Sequence, residues 1–247
     1  MKVLILGGTT EGSAIARALD GRFVPVLSLA GRTRAPVLPA VAGRRGGFGG
    51  VAGLVAYLRD EAVAALVDAT HPFARVMKGN AAAAAQQADV PRVAVWRPGW
   101  VADAGDDWTI VPDMAAAVAA LGMTPRRVFL TVGQQELAPF GRAPWHDYLV
   151  RSVEPPDAGV LPRGVRYVAA RGPFELADEE RLLREQGIEV VVTKNSGGEA
   201  TRAKLTAARL LGIPVVMVAR PPEPAGPVVG DVAGVLAFLH QLAERGV

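Results

Sequence analysis

Two short segments of this chain place side chains able to hold or pass a proton beside residues that can meet a ligand. Asp68-Ala69-Thr70-His71-Pro72-Phe73-Ala74 offers an imidazole and an aromatic ring, and Thr193-Lys194-Asn195-Ser196-Gly197-Gly198-Glu199 offers an ammonium next to an amide and a hydroxyl. Pro72 fixes its own φ and disfavours the α region at His71. The ring is thereby presented to donate a proton or to hold a cofactor amide; a structural His-Pro turn with Phe73 in the core is the alternative. Between a strand and a helix, Lys-Asn-Ser-Gly-Gly builds an anion cradle of backbone N–H groups with a cation at its lip. The G-x-x-x-x-G-K-[ST] order of a Walker loop is absent. A capping turn with a solvent-facing lysine is the simpler reading.

A third segment opens the chain. Val3-Leu4-Ile5-Leu6 has no polar alternation, as suits a strand buried on both faces of a parallel sheet. It runs into Gly7-Gly8-Thr9-Thr10-Glu11-Gly12 and then an apolar helix. Glycines there permit a tight turn and a close approach, and the helix directs its first N–H groups and positive dipole end at the turn, which favours a phosphate. Gly7 and Gly12 match the outer positions of G-x-G-x-x-G, while Thr9 holds the middle one and Gly8 lies one place early. By itself this is equally a strand-to-helix turn that binds nothing.

Two more segments follow predicted strands. After Leu29, Ala30-Gly31-Arg32-Thr33-Arg34 lacks the Asp or Glu that holds a ribose 2′-hydroxyl in NAD sites. Ser28, Arg32 and Arg34 instead offer donors to a 2′-phosphate, each charge-assisted bond contributing about 1.5–3 kcal/mol; a solvated basic loop is the alternative. Arg44-Arg45-Gly46-Gly47-Phe48-Gly49-Gly50 can cradle a ligand or serve as a flexible linker.

Composition narrows the chemistry. The 247 residues, half of them apolar, suffice for one large domain or two lobes. With no cysteine, disulfides, thiolate metal sites and cysteine nucleophiles are excluded. His71, His146 and His240 lie far apart in sequence, so no metal site is expected. Of 27 basic residues only Lys2, Lys78, Lys194 and Lys204 are lysines. The arginine bias fits an anionic ligand or a general preference for arginine. The arginines form no run, so no nucleic-acid partner is expected. No apolar stretch approaches the roughly 18 residues a bilayer needs, and no leader precedes the first strand, so a soluble, cytoplasmic protein without a membrane partner is expected.

Apolar strands alternate with helical patterns, the mark of an α/β protein with mostly parallel sheets. Strands are expected at 3–6, 24–29, 65–68 and 92–96, and helices at 11–19, 51–60 and 75–88. The run 81–85 is helix filler. The pattern breaks at 98–112, resumes with a helix at 113–121, and restarts at 127–133 with a second strand-then-glycine step. Further strands are expected at 148–152, 166–169, 189–193 and 215–219, and helices at 176–186, 201–211 and 232–244. Two Rossmann-like lobes result, 1–124 and 125–247, with the last helix able to return to the first lobe.

Taken in order, Leu6-Gly7-Gly8-Thr9-Thr10-Glu11-Gly12, Ala30-Gly31-Arg32, Gly46-Gly47-Phe48-Gly49-Gly50, Asp68 to Ala74, Arg97-Pro98 with Trp100, and Thr193 to Gly198 resemble the precorrin-6A reductases through most of the chain. The resemblance implies an oxidoreductase of cobalamin biosynthesis acting on a CH–CH bond. It would use NADPH to saturate one double bond of the tetrapyrrole precorrin-6A, giving precorrin-6B, with two Rossmann-like lobes flanking a ligand cleft. Hydride would pass from nicotinamide C4 to one carbon and a proton to its neighbour. Carried onto this sequence, it implies Gly7, Gly8, Thr9, Thr10, Glu11 and Gly12 on the pyrophosphate, Ser28, Gly31 and Arg32 on the 2′-phosphate, and Thr70, His71 and Phe73 near the nicotinamide. Lys194, Asn195, Ser196 and Gly197 would face substrate or cofactor, with His71 and Lys194 as the catalytic candidates and no metal. The substrate's carboxylates give the arginines a partner, and a monomer is expected.

Two other readings remain. A short-chain dehydrogenase or sugar epimerase needs Tyr-x-x-x-Lys, yet Tyr57, Tyr148 and Tyr167 are followed four residues on by Glu61, Ser152 and Arg171. A nucleotide-sensing domain would bind NADPH without oxidising it. On the 2′-phosphate reading, Arg32→Ala raises the KM for NADPH at least tenfold and leaves that for NADH nearly unchanged; equal effects on the two in steady-state kinetics would remove Arg32 from that role.

Overall fold

The computed structural model describes residues 1–19, 21–31, 41–153 and 165–246. Along the chain lie β1 (Lys2–Leu6), α1 (Thr10–Ala18), β2 (Val24–Leu29), β3 (Ala42–Arg45), α2 (Gly50–Asp60), β4 (Ala65–Asp68), α3 (Arg75–Ala88) and β5 (Arg92–Val95). Next come β6 (Trp108–Val111), α4 (Met114–Leu121), β7 (Arg127–Leu130), β8 (Asp147–Ser152), β9 (Arg166–Ala169), α5 (Leu176–Glu185), β10 (Val190–Lys194), α6 (Ala203–Leu210) and β11 (Val215–Val218). The chain closes with β12 (Val228–Val229) and α7 (Val232–Glu244).

The strands form two six-stranded sheets, ordered β12-β5-β4-β1-β2-β3 and β6-β11-β10-β7-β8-β9. Every pairing is parallel. This is the α/β architecture expected from strand–helix alternation. The chain divides into two compact units, 1–98 with 221–247, and 99–220. The sequence pattern suggested a boundary at 124/125; the compact units instead group 99–124 with the second sheet and 221–247 with the first.

Burial explains the uniform apolarity of β1. Val3 and Ile5 share one core with Ile15 of α1 and Val235, Leu239 and Leu242 of α7. Leu4 and Leu6 point the other way, into a core with Leu54 and Leu58 of α2 and Ala81, Ala84 and Ala85 of α3. The alanine run thus lets α3 lie close to the sheet. In the second unit Phe129, Val191, Val215 and Met217 pack with Leu183 of α5 and Leu205 and Ala208 of α6.

Three strands escape the sequence pattern, all of them at sheet edges. Ala42-Gly43-Arg44-Arg45 reads as loop because an edge strand needs no apolar alternation, yet it pairs with β2 over four residues. Trp108–Val111 sits in the Pro/Gly/Asp break, and Val228–Val229 is too short for periodicity. The second strand-then-glycine step, after β7, leads into 3-10 turns at Gln134–Glu136 and Ala138–Arg142 instead of an α-helix. The helix expected at 201–211 starts at Ala203, after a 3-10 turn at Glu199–Thr201. Among the described residues no helix is long and apolar enough to cross a membrane.

Leu239 of α7 is fully buried against the β1 core. Leu239→Ala is expected to cost about 2–5 kcal/mol, read as a lower urea midpoint. A loss below about 1 kcal/mol would contradict the docking of α7 on the first sheet.

Candidate functional site

In the first sheet β2 and β3 lie to one side of β1 and β4 and β5 to the other, so the winding reverses between β1 and β4. Open α/β sheets bind ligands at the carboxyl ends of the strands at such a point. The turn after β1 is shaped for close approach. A Cβ on Gly7 would come within 2.6 Å of Leu27 Cδ1, and one on Gly12 within 3.1 Å of the Gly7 Cα, so α1 seats directly on the turn. Gly8 takes φ +107°. Thr9, at the position where the usual fingerprint has glycine, caps α1: its hydroxyl accepts from Gly12 N–H (3.1 Å) and donates to the Ala69 carbonyl (2.7 Å). That hydroxyl ties the turn after β1 to the loop after β4.

The side chains of Thr10 and Glu11 are engaged at the same helix end. Glu11 Oε2 accepts from Arg97 Nη1 (2.7 Å) and from Thr10 Oγ1 (3.1 Å). Burial alone would raise the Glu11 carboxyl, but the Arg97 guanidinium overrides it and holds the group below the usual carboxylate range. Arg97 follows β5, so the ion pair spans from the end of that strand to the start of α1.

After β4, Asp68 is completely buried and organises the loop. Its Oδ1 accepts from both the backbone N–H (3.1 Å) and the hydroxyl (2.6 Å) of Thr70, while Lys78 of α3 donates to Oδ2 (3.3 Å). Pro72 is buried and the rings of His71 and Phe73 lie 5.8 Å apart, both half-buried. Phe73 N–H donates to His71 Nδ1 (3.2 Å). An imidazole accepting at Nδ1 carries its proton on Nε2 when neutral, so Nε2 is the donor.

Toward β2 and β3, Ser28 is buried and pairs in register with Arg44. Arg44 Nη1 donates to Ser28 Oγ (3.0 Å). Gly31, at φ +77°, lies against Gly46. Arg32 and Arg34 lie outside the described residues. The first unit therefore brings together Gly7 to Gly12, Ser28, Gly31, Thr70, His71 and Phe73 along the carboxyl ends of its strands.

Lys194, Asn195, Ser196 and Gly197 belong to the second unit. Its sheet reverses between β7 and β10, and these residues follow β10. Lys194 Nζ pairs with Glu136 Oε2 at 2.6 Å, and the same oxygen accepts from Gly133 N–H (2.8 Å) after β7. Asn195 exchanges hydrogen bonds with the Trp100 backbone, at 2.7 and 2.9 Å, and Trp100 Nε1 donates to the Gly198 carbonyl (3.2 Å). Ser196 N–H donates to the Lys194 carbonyl (2.7 Å), and Gly197 turns at φ +64°.

Sequence reasoning assigned no role to Asp68, Lys78, Arg44, Arg97 or Glu136. Two had a usable signal. Lys78 lies on the same helical stripe as Ala81 and Ala85, and a lysine on a buried face demands an acid. Glu136 stands three residues after Gly133, the spacing at which an acid reaches back to a turn N–H.

Beneath the second loop, Lys204 of α6 is 3% exposed, donates to the Thr201 carbonyl (2.6 Å) and lies 4.7 Å from the Trp100 ring centroid. Burial pushes its ammonium down to about 7; Arg151 adds to the effect and Glu179 opposes it.

Two doubly wound parallel sheets, each with a glycine-bearing loop at its reversal, make this an α/β protein of the two-sheet Rossmann-like class. The model of the family "Precorrin-6x reductase CbiJ/CobK" matches residues 2–240. The chain is 50% identical to precorrin-6A reductase of Rhodobacter capsulatus over 249 residues, covering 100% of this chain and 99% of that one. A solved structure titled "CobK precorrin-6A reductase" superposes with TM-score 0.93 at 50% identity, covering 98% of this chain and 96% of that one. Identity to cobalt-precorrin-6A reductase of Priestia megaterium is 31% over 182 residues, 67% of this chain and 68% of the other. The chain belongs to the precorrin-6x reductase family and is thereby an oxidoreductase.

Lys204 yields a pH signature. Its folded value near 7 lies below the ordinary 10.5, so between those values the unfolded chain binds the extra proton and stability rises with pH. Lys204→Met should flatten that rise in urea titrations from pH 7 to 10, and an unchanged slope would exclude a neutral buried amine.

Proposed function

We infer that this chain reduces one double bond of the precorrin-6A macrocycle, giving precorrin-6B in cobalamin biosynthesis, with NADPH as reductant. The observation that carries the substrate is the 50% identity, end to end, with precorrin-6A reductase of Rhodobacter capsulatus. The lower identity, over a shorter alignment, with the cobalt-precorrin enzyme favours the cobalt-free macrocycle.

The residues present fit a dinucleotide. At Gly7 and Gly12 a side chain would strike Leu27 and the Gly7 backbone, so glycine keeps the turn tight against the strand and helix, and α1 brings its N-terminus to that turn. The backbone of Gly7 to Gly12 would hold the pyrophosphate, with the Thr9 hydroxyl bracing the turn in place of touching phosphate. Ser28, Gly31 and Arg32 would stand toward the ribose 2′-phosphate, and Thr70, His71 and Phe73 toward the nicotinamide. A reduced nicotinamide supplies a hydride to one carbon of the conjugated bond.

The protein's own contribution is to orient, to exclude water and to manage the proton. Asp68 and Lys78 fix Thr70, and the Phe73 N–H fixes the His71 tautomer, so that Nε2–H can hold a carboxamide or deliver a proton. Lys194, held by Glu136, is a cation for a substrate carboxylate or a second proton source.

Incubation with NADPH and purified precorrin-6A tests this reading. NADPH absorbance should fall as the macrocycle gains the mass of two hydrogens, one delivered as hydride and one as a proton. Unchanged absorbance and unchanged mass would leave a nucleotide-binding protein without this activity.

A further inference from the structure

The geometry points to Arg44 as a further residue, in addition to Arg32, that reads the cofactor's 2′-phosphate and strengthens the preference for NADPH over NADH; this rests on the dinucleotide reading above. Arg44 is the third residue of β3, an edge strand whose register places it beside Ser28, which itself lies beside Leu6 at the end of β1. In a doubly wound sheet the adenosine ribose lies on this side of the pyrophosphate turn, and an arginine near the end of the second strand receives the 2′-phosphate where an acid would hold a ribose diol. The residues that close β2, Ser28 and Leu29, are not acids.

Arg44 is mounted unlike an ordinary surface arginine. Its Nη1 donates to Ser28 Oγ (3.0 Å) and to the Gly46 carbonyl (3.1 Å), its Nη2 donates to the Gly47 carbonyl (3.1 Å), and its Cζ lies 3.8 Å from the Phe48 ring centroid. Tyr57 holds that ring edge-on at 5.2 Å. All these partners are neutral. Arg97, Arg151, Arg166, Arg202 and Arg209 each pair with a carboxylate, whereas among the described residues Arg44 meets none. Its positive charge is therefore fixed in place without being neutralised, and three of the five guanidinium N–H groups serve the mount, leaving donors for an arriving anion. A pre-positioned fork loses little side-chain entropy when a phosphate binds.

Calorimetric binding of adenosine 2′,5′-bisphosphate and of ADP to the full chain tests Arg44 without turnover. The natural protein should bind the 2′-phosphate ligand about a hundredfold more tightly, Arg32 and Arg44 each contributing about tenfold. Arg44→Met keeps a stem against Phe48 and removes the charge; the preference should then fall at least tenfold, with ADP affinity little changed. Arg44→Lys keeps the charge without the fork and should retain only part of the preference. If Arg44→Met does not fold, a full preference in Arg44→Lys overturns the proposal. A preference left undiminished in Arg44→Met, or an equal loss for both ligands, overturns it as well, since the first removes Arg44 from the phosphate and the second makes its role structural. Absence of any preference in the natural protein sinks the NADPH reading, and Arg44 with it.

Discussion

The pairing of β1 with β2 on one side and with β4 on the other is the constraint on which the site depends. It sets Leu6 opposite both Ser28 and Asp68, and with the next pairing Arg44 joins the same row. One line of residues across the carboxyl edge thus carries a basic group at one end and an acid toward the other, with the glycine turn between. A one-residue slip in any parallel pair would turn these side chains to the opposite face. Burial prevents it, because β1 has apolar side chains on both faces and each face is covered by two helices.

Within that frame the polar groups are mostly paired, and the pairing does the positioning. Asp68 and Lys78 are both nearly inaccessible. Losing one partner of such a pair leaves an uncompensated buried charge, at a cost of about 3–5 kcal/mol, so the Thr70-His71 loop inherits rigidity from the core. The Thr9 hydroxyl does the same at lower cost by capping α1 and gripping Ala69. That explains the displaced glycine: the middle place is occupied by a side chain that braces two loops, and Gly8 alone supplies the left-handed backbone beside it.

The second sheet repeats the winding but not the chemistry. At its reversal point β7 leads into 3-10 turns in place of an α-helix, and the loop after β10 reaches α6 only through a further 3-10 turn. Instead Lys194 and Glu136 form an ion pair across β7 and β10, and Trp100 clasps Asn195 and Gly198. A paired ammonium and carboxylate suit oriented hydrogen bonding more than bulk attraction of a highly charged phosphate, which separates this loop from the glycine turn of the first sheet.

Much of this was legible in the residues. Uniform apolar runs announced the central strands, the glycine turn announced its helix, and the ordered series of short motifs announced the family, because burial and turn conformation are local demands that composition must meet. The edge strands β3, β6 and β12 were not legible, since a strand exposed on one side needs no apolar period. Nor were the contacts that position the site. Thr9 with Ala69, Asp68 with Lys78, Ser28 with Arg44 and Lys194 with Glu136 join residues 60, 10, 16 and 58 apart. Local composition thus dictates which residues must be buried and where the chain must turn. Which of them meet is set by the folded sheets, because parallel pairing joins strands distant along the chain and leaves no periodic mark of its partner.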